Sequence, residues 1–120
     1  MSRRARTTAL AGTVISGALV LASCYAPAPQ DATHPHHDDP FLTCVRARES
    51  GDDYTIDSPD RQYHGAYQFY QSTWDATADH AQREELRGVD PHGASEYDQD
   101  DLAWHLYQWQ GRTPWNGACP

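Results

Sequence analysis

Apolar residues recur at a helical interval in three parts of the chain. Phe41, Cys44, Val45, Arg48 and Glu49 follow i, i+3, i+4 spacing, so Glu49 shares a face with the apolar positions and is directed inward or into a cleft. Gly51 predicts the end of this helix, because glycine accepts the left-handed C′ conformation and lets the chain turn directly after the acid. Ser72, with Asp75 three residues on, predicts a capped start for a second helix running to about Gln82, with Thr73, Ala76, Thr77 and His80 as one packed face. Ser95-Glu96-Tyr97-Asp98 resembles another capped start. Leu102, Ala103, Leu106, Tyr107 and Trp109 or Gln110 follow at helical spacing up to Gly111, which reads as a buried helix.

Between these helices the pattern changes. Tyr54, Thr55 and Ile56 are β-prone and lie beside a Ser58-Pro59-Asp60 turn, which predicts a short irregular hairpin between Asp52 and His64. Gly65 frees the backbone where it passes close to a ligand or to the first helix. Arg83 to Glu96, with Gly88, Pro91 and Gly93, reads as a loop.

The first 39 residues follow other rules. Residues 1–23 carry Arg3, Arg4 and Arg6 ahead of an apolar, small-residue run from Ala9 to Ala22, the layout of an export signal. Leu21-Ala22-Ser23-Cys24 matches the cleavage pattern of bacterial lipoproteins, which would leave an acylated Cys24; an ordinary signal cut elsewhere is the competing reading. Ser2-Arg3-Arg4 suggests a twin-arginine signal only faintly, so the export route stays open. Residues 24–39 are rich in proline, histidine and aspartate and read as a flexible tether. His34, His36, His37, Asp38 and Asp39 suit a soft divalent metal by composition, but a solvated linker is the commoner meaning of such a run, and no metal is assigned here. Residues 40–120 form one domain, near the size at which a single core needs a covalent staple.

Charge and cysteine content narrow the function. The chain has no lysine, and from Cys24 onward six arginines face seventeen aspartates and glutamates, a balance of −11. That excludes a nucleic-acid partner, whose phosphates require a basic face. An anionic polymer would have to be held by hydrogen bonds and stacking instead. Three cysteines are an odd number for an exported protein; if Cys24 carries lipid, Cys44 and Cys119 remain to pair in an oxidising compartment.

The order Glu49-Ser50-Gly51, a loop, Tyr63-x-Gly65-Ala66-Tyr67-Gln68-Phe69, x-Gln71-Ser72-Thr73-Trp74 and a late Trp115-x-x-x-Cys119 resembles the small transglycosylase-like domain of the resuscitation-promoting factors, from about Phe41 to Cys119. The resemblance implies a lysozyme-like fold, here an α+β, mostly helical domain with a short hairpin and one disulfide. It also implies a glycosidase that cleaves peptidoglycan with one glutamate, without a cofactor, as a monomer. Carried over residue by residue, Glu49 is the catalytic acid, and Gln68 and Thr73 match positions that contact the sugar. Trp74, Tyr70, Tyr54, Tyr63 and Tyr67 are candidates for lining the cleft, Trp74 being equally consistent with a core role. In the family a cysteine directly precedes the glutamate, whereas Cys44 stands five residues before it.

Hydrolysis commonly needs a second carboxylate. Some relatives carry an aspartate two residues after the glutamine that Gln68 matches; this chain has Tyr70 there, with Asp57 or Asp75 as substitutes of no known role. The difference favours anhydro-forming, lytic transglycosylase chemistry over hydrolysis. Two other readings stay open: a catalytically idle wall-binding module of the same fold, and a signalling lipoprotein whose acidic face meets a basic partner. The implied location is outside the cytoplasm, lipid-anchored to the outer face of the membrane or secreted, with the lipid as the only membrane contact.

Overall fold

A computed structural model describes residues 31–120. The export signal, Cys24 and the first part of the tether lie outside the described residues. The first helix, α1 (Pro40–Ser50), starts where Asp39 accepts hydrogen bonds from the Phe41 and Leu42 amides at 2.9 and 3.3 Å, with Pro40 in the first turn. It ends at Gly51, at φ 65°, whose N–H donates to the Arg46 carbonyl.

β1 (Tyr63–His64) and β2 (Phe69–Tyr70) pair antiparallel in the register Tyr63 with Tyr70 and His64 with Phe69. The hairpin therefore sits later than the β-prone residues suggest. Tyr54 and Thr55 form a turn, and the earlier segment reaches the sheet only through a single bridge from Asp57 to His64. Tyr54 is drawn inward instead, because its hydroxyl finds a buried carboxylate, Asp100, at 2.7 Å.

β2 runs directly into α2 (Gln71–His80), capped by Tyr70 without a side-chain hydrogen bond. The expected Ser72–Asp75 cap does not form. Asp75 accepts instead from the Gln71 side chain at 3.0 Å and from the Gly88 amide at 2.8 Å, tying α2 to the following loop. That loop holds two short 3-10 turns, Glu84–Leu86 and Pro91–Gly93. α3 (Glu96–Gln110) begins as expected, with the Ser95 hydroxyl accepting from the Asp98 amide at 3.1 Å, and stops at Gly111. A last 3-10 turn, Thr113–Trp115, leads the chain back to α1.

α3 packs on both other helices. Its buried Leu102, Ala103 and Leu106 join one core with Phe41, Leu42 and Val45 of α1, Trp74 and Ala78 of α2, and Phe69 and Trp115. Each large apolar side chain fully removed from water contributes on the order of 2 kcal/mol. A second, polar centre lies beside it. Asp100 of α3, 1% exposed, accepts from the hydroxyls of Tyr54 and Tyr67 at 2.7 and 2.6 Å and lies 3.6 Å from the Arg46 guanidinium of α1. Burial and the neighbouring Asp100 charge push both tyrosines far above their ordinary values, so they remain donors.

Within residues 34–39, expected in the tether, His34, His36 and His37 dock on α3. His34 is buried with Nε2 3.1 Å from Asp101, His37 Nδ1 is 2.8 Å from Asp100, and His36 stacks on Trp104 at 3.8 Å. The ordered unit thus begins before Pro40, because each histidine meets a carboxylate or a ring on α3 that the linear sequence does not place nearby. These rings are committed one by one to separate partners on α3.

Candidate functional site

Glu49 occupies the last turn of α1, where the amphipathic spacing of the helix brings it to the edge of the core. It is half-buried and lines a cavity of about 260 Å³ with Tyr63, Gln68, Pro114, Trp115 and Asn116. A second cavity, of about 140 Å³, shares Tyr63, Gln68, Pro114 and Trp115 with the first and continues to Tyr70, Thr73 and Gln110. The two form one groove with the acid at one end and the start of α2 at the other.

Burial raises the Glu49 carboxyl above its ordinary value of 4.5, and the Arg48 charge pulls it partly back. Neither arginine of α1 pairs with it. Arg46 is turned away and donates to Asp52 at 2.7 Å, to the Tyr67 hydroxyl at 2.7 Å and to the His37 carbonyl at 3.0 Å. Arg48 donates to the Ala118 carbonyl at 3.3 Å. Among the described residues Glu49 has no salt-bridge partner and its carboxylate accepts no hydrogen bond. A half-desolvated carboxyl with a raised pKa and a free face on a groove is equipped to give and take a proton.

Gln68 stands at φ 53°, in the left-handed region, and forms part of the turn between the strands. Its side-chain amide donates to the Gly65 carbonyl at 2.9 Å, which fixes its orientation in the wall common to both cavities. Thr73 and Tyr70 line the far cavity, Tyr70 being 43% exposed. Two sequence candidates are elsewhere. Trp74 is fully buried and its indole N–H donates to the Leu86 carbonyl at 2.8 Å, so it is a core residue with no face for a ligand. Tyr54 is buried in the Asp100 centre and lines neither cavity. The aromatic facing the groove from β1 is Tyr63, also 43% exposed, and Tyr67 reaches it only from the core beneath.

Neither proposed substitute for a second carboxylate reaches the groove. Asp57 lies between His64 and His92, and Asp75 is held by Gln71 and Gly88. Glu49 is the only carboxylic acid among the residues lining the two cavities.

The C-terminal turn supplies the wall that sequence reasoning missed: Pro114 and Asn116. The Cys44–Cys119 disulfide ties it to α1 across 75 residues, and the Trp115 indole donates to the Tyr67 carbonyl at 3.1 Å. The only hint of this in the sequence is the Asn116-Gly117 turn pair placed between Trp115 and Cys119.

The family model described as transglycosylase-like domain matches residues 36–119. The chain is similar to the probable transglycosylase SceD of Staphylococcus haemolyticus (strain JCSC1435), 42% identical over 74 residues that make up 62% of this chain and 30% of that protein. It is 40% identical over 74 residues to the probable transglycosylase SceD 3 of Staphylococcus saprophyticus, covering 62% of this chain and 29% of the relative. With the probable transglycosylase SceD of Staphylococcus epidermidis the identity is 39% over 74 residues, 62% of this chain and 32% of the relative. The matched chain thus spans about 30% of the length of these curated relatives. No solved structure matches it.

Proposed function

The chain belongs to the transglycosylase-like domain family, and on that premise we propose that its groove cleaves the glycan backbone of peptidoglycan by lytic transglycosylation, with Glu49 as the single acid and base. The observation that carries this is the solitary carboxyl: Glu49 is held above its ordinary pKa by burial, and no other acid lines the groove.

Protonated Glu49 gives its proton to the glycosidic oxygen as the bond to C1 of the muramic residue breaks, leaving an oxocarbenium-like centre. The resulting carboxylate then takes the C6 hydroxyl proton, and that oxygen closes on C1 to give a 1,6-anhydro end. Atoms balance without a water molecule and the acid returns to its starting state. Hydrolysis by the retaining or inverting route calls for a second carboxylate at about 5 to 9.5 Å, and the groove offers none. Tyr63 and Tyr70 present aromatic faces for sugar stacking, and Gln68 and Thr73 present an amide and a hydroxyl along the same wall. Binding by stacking and hydrogen bonds suits a chain with net charge −8 that faces an anionic polymer.

The substrate lies outside the cytoplasm, which agrees with the Arg-led apolar segment at residues 1–23 and with a lipid on Cys24. One thioether-linked lipid with an amide-linked chain exceeds the marginal anchoring of a single acyl chain. Mass analysis of products from purified peptidoglycan tests the chemistry. Muropeptides lighter by one water, with anhydro ends, are expected. Reducing ends would replace transglycosylation with hydrolysis, and glycan binding without soluble product would favour a wall-binding module.

A further inference from the structure

The reverse side of β1 carries a different set of donors. Tyr63 lines the groove, and the next residue, His64, points to the other side of the strand, where it bridges to Asp57. The Pro91–Gly93 turn brings Asp90 and His92 to the same place. His64 Nδ1 lies 2.8 Å from Asp57 Oδ1, and His92 Nδ1 lies 2.7 Å from that same oxygen. Asp90 Oδ1 is 2.9 Å from His92 Nδ1 and 3.5 Å from His64 Nδ1. All four atoms lie within 4.8 Å of one another.

Protons satisfy this arrangement poorly. A neutral imidazole has one N–H, so His92 Nδ1 can give its hydrogen to only one of the two carboxylate oxygens beside it. A cation at the centre would take a lone pair from each of the four atoms at once. We propose that Asp57, His64, Asp90 and His92 form a binding site for a divalent first-row cation, Zn2+ above all, which staples the segment before β1 to the turn after α2 behind the groove wall.

The donor set selects the class. Two imidazole nitrogens with two carboxylate oxygens suit four-coordinate Zn2+, whereas Ca2+ and Mg2+ take oxygen. Bonds of about 2.0 to 2.2 Å put tetrahedral donors about 3.4 Å apart; the four histidine–carboxylate separations are 2.7 to 3.5 Å and every pair lies within 4.8 Å, so side-chain shifts on the order of 1 Å bring the donors to that geometry. The ligands are also preorganised. The β-bridge fixes Asp57 against His64, and Asp90 accepts from the His92 amide at 3.2 Å. His64 is enclosed and Asp90 half open, which leaves an entry from solvent. None of the four lines the groove with Glu49, so the site stands apart from the proposed cleavage.

The test uses the full chain after chelator treatment, titrated with Zn2+ by calorimetry and followed by thermal melting. One Zn2+ per chain is expected, with the melting temperature rising as Zn2+ is added and Co2+ giving the intense visible absorption of a four-coordinate site. Asp90→Asn keeps the turn cap, and His92→Gln changes a half-exposed ring; each should weaken binding at least tenfold and remove the thermal shift. His36→Ala, in the N-terminal histidine segment, should bind as wild type does. Nitrogen chemical shifts of His64 and His92 in the wild type report Nδ1 coordination without any variant. No saturable Zn2+ binding, unchanged binding in both site variants, loss of binding in His36→Ala, or unmoved His64 and His92 signals would overturn the proposal.

Discussion

Glu49 carries a cost at neutral pH that the chemistry proposed for it would explain. Its raised pKa means the fold disfavours the carboxylate, so the wild type loses stability as pH climbs from the ordinary 4.5 through the raised folded value. Glu49→Gln removes the ionisation and should melt at an equal or slightly higher temperature at neutral pH while losing peptidoglycan cleavage, measured as turbidity clearance and melting on the same samples. Clearance within tenfold of wild type would remove Glu49 as the acid. The proton must be present for the first step, so activity should fall on the alkaline side of the Glu49 pKa. Arg48→Gln deletes the charge that holds this pKa down and should move that alkaline limb to higher pH with little change in melting temperature, since Arg48 is exposed. At this scale the inward, half-buried placement of Glu49 was legible in the sequence, because helical spacing fixes its face. Trp74 and Tyr54 were not, because an aromatic residue beside a ligand and one in a core satisfy the same local pattern, and only the Leu86 carbonyl and Asp100 decide between them.

Among elements, the joint between the hairpin and α3 depends on one glycine. Gly65 has φ 77°, and a Cβ there would stand 2.3 Å from the Gln99 side-chain oxygen. That oxygen accepts from the Ala66 amide at 3.0 Å, while the Gln99 amide donates to the Tyr54 and Ala94 carbonyls at 3.1 Å each. Gln99 is 1% exposed and cannot swing aside. Gly65→Ala should therefore destabilise by at least about 2 kcal/mol, combining left-handed strain with the displaced side chain. Chemical denaturation measures it, and a loss under half that would mean the segment relaxes freely. Gln99→Ala should cost about 1 to 3 kcal/mol by leaving buried backbone groups unpaired. The two changes together should cost less than their sum, since Gln99→Ala removes the obstruction. The sequence marked Gly65 as a close approach but named the first helix or a ligand as the neighbour. The partner is α3, thirty-four residues on, and no local signal encodes that pairing.

Across the whole molecule, the disulfide joins stability to function. Closing 75 residues between Cys44 and Cys119 is worth up to about 4 to 5 kcal/mol in chain entropy, with measured values often smaller. One kcal/mol moves the melting temperature of a domain this small by roughly 4 to 8 °C. Cys119→Ala should thus lower it by ten degrees or more, and native exported protein should show no reactive thiol at either position on titration. Because the same tail carries Pro114, Trp115 and Asn116 to the groove, cleavage should weaken at temperatures where the variant remains folded. A variant equal to wild type in melting would show that packing of Trp115 holds the tail unaided.

Sequence alone determined the helical spans of α1 and α3 with their stops at Gly51 and Gly111, the inward face of Glu49 and the two cysteines able to pair. These follow from periodicity, capping chemistry and counting, which act within a few residues or on the chain as a whole. Tertiary structure decided which aromatics face the groove, that the hairpin forms at Tyr63–Tyr70, that His34, His36 and His37 dock on α3, and that Asp57 stands with His64, Asp90 and His92. Those outcomes rest on partners distant in sequence, whose competition for buried hydrogen bonds outweighs the local preferences of the residues involved.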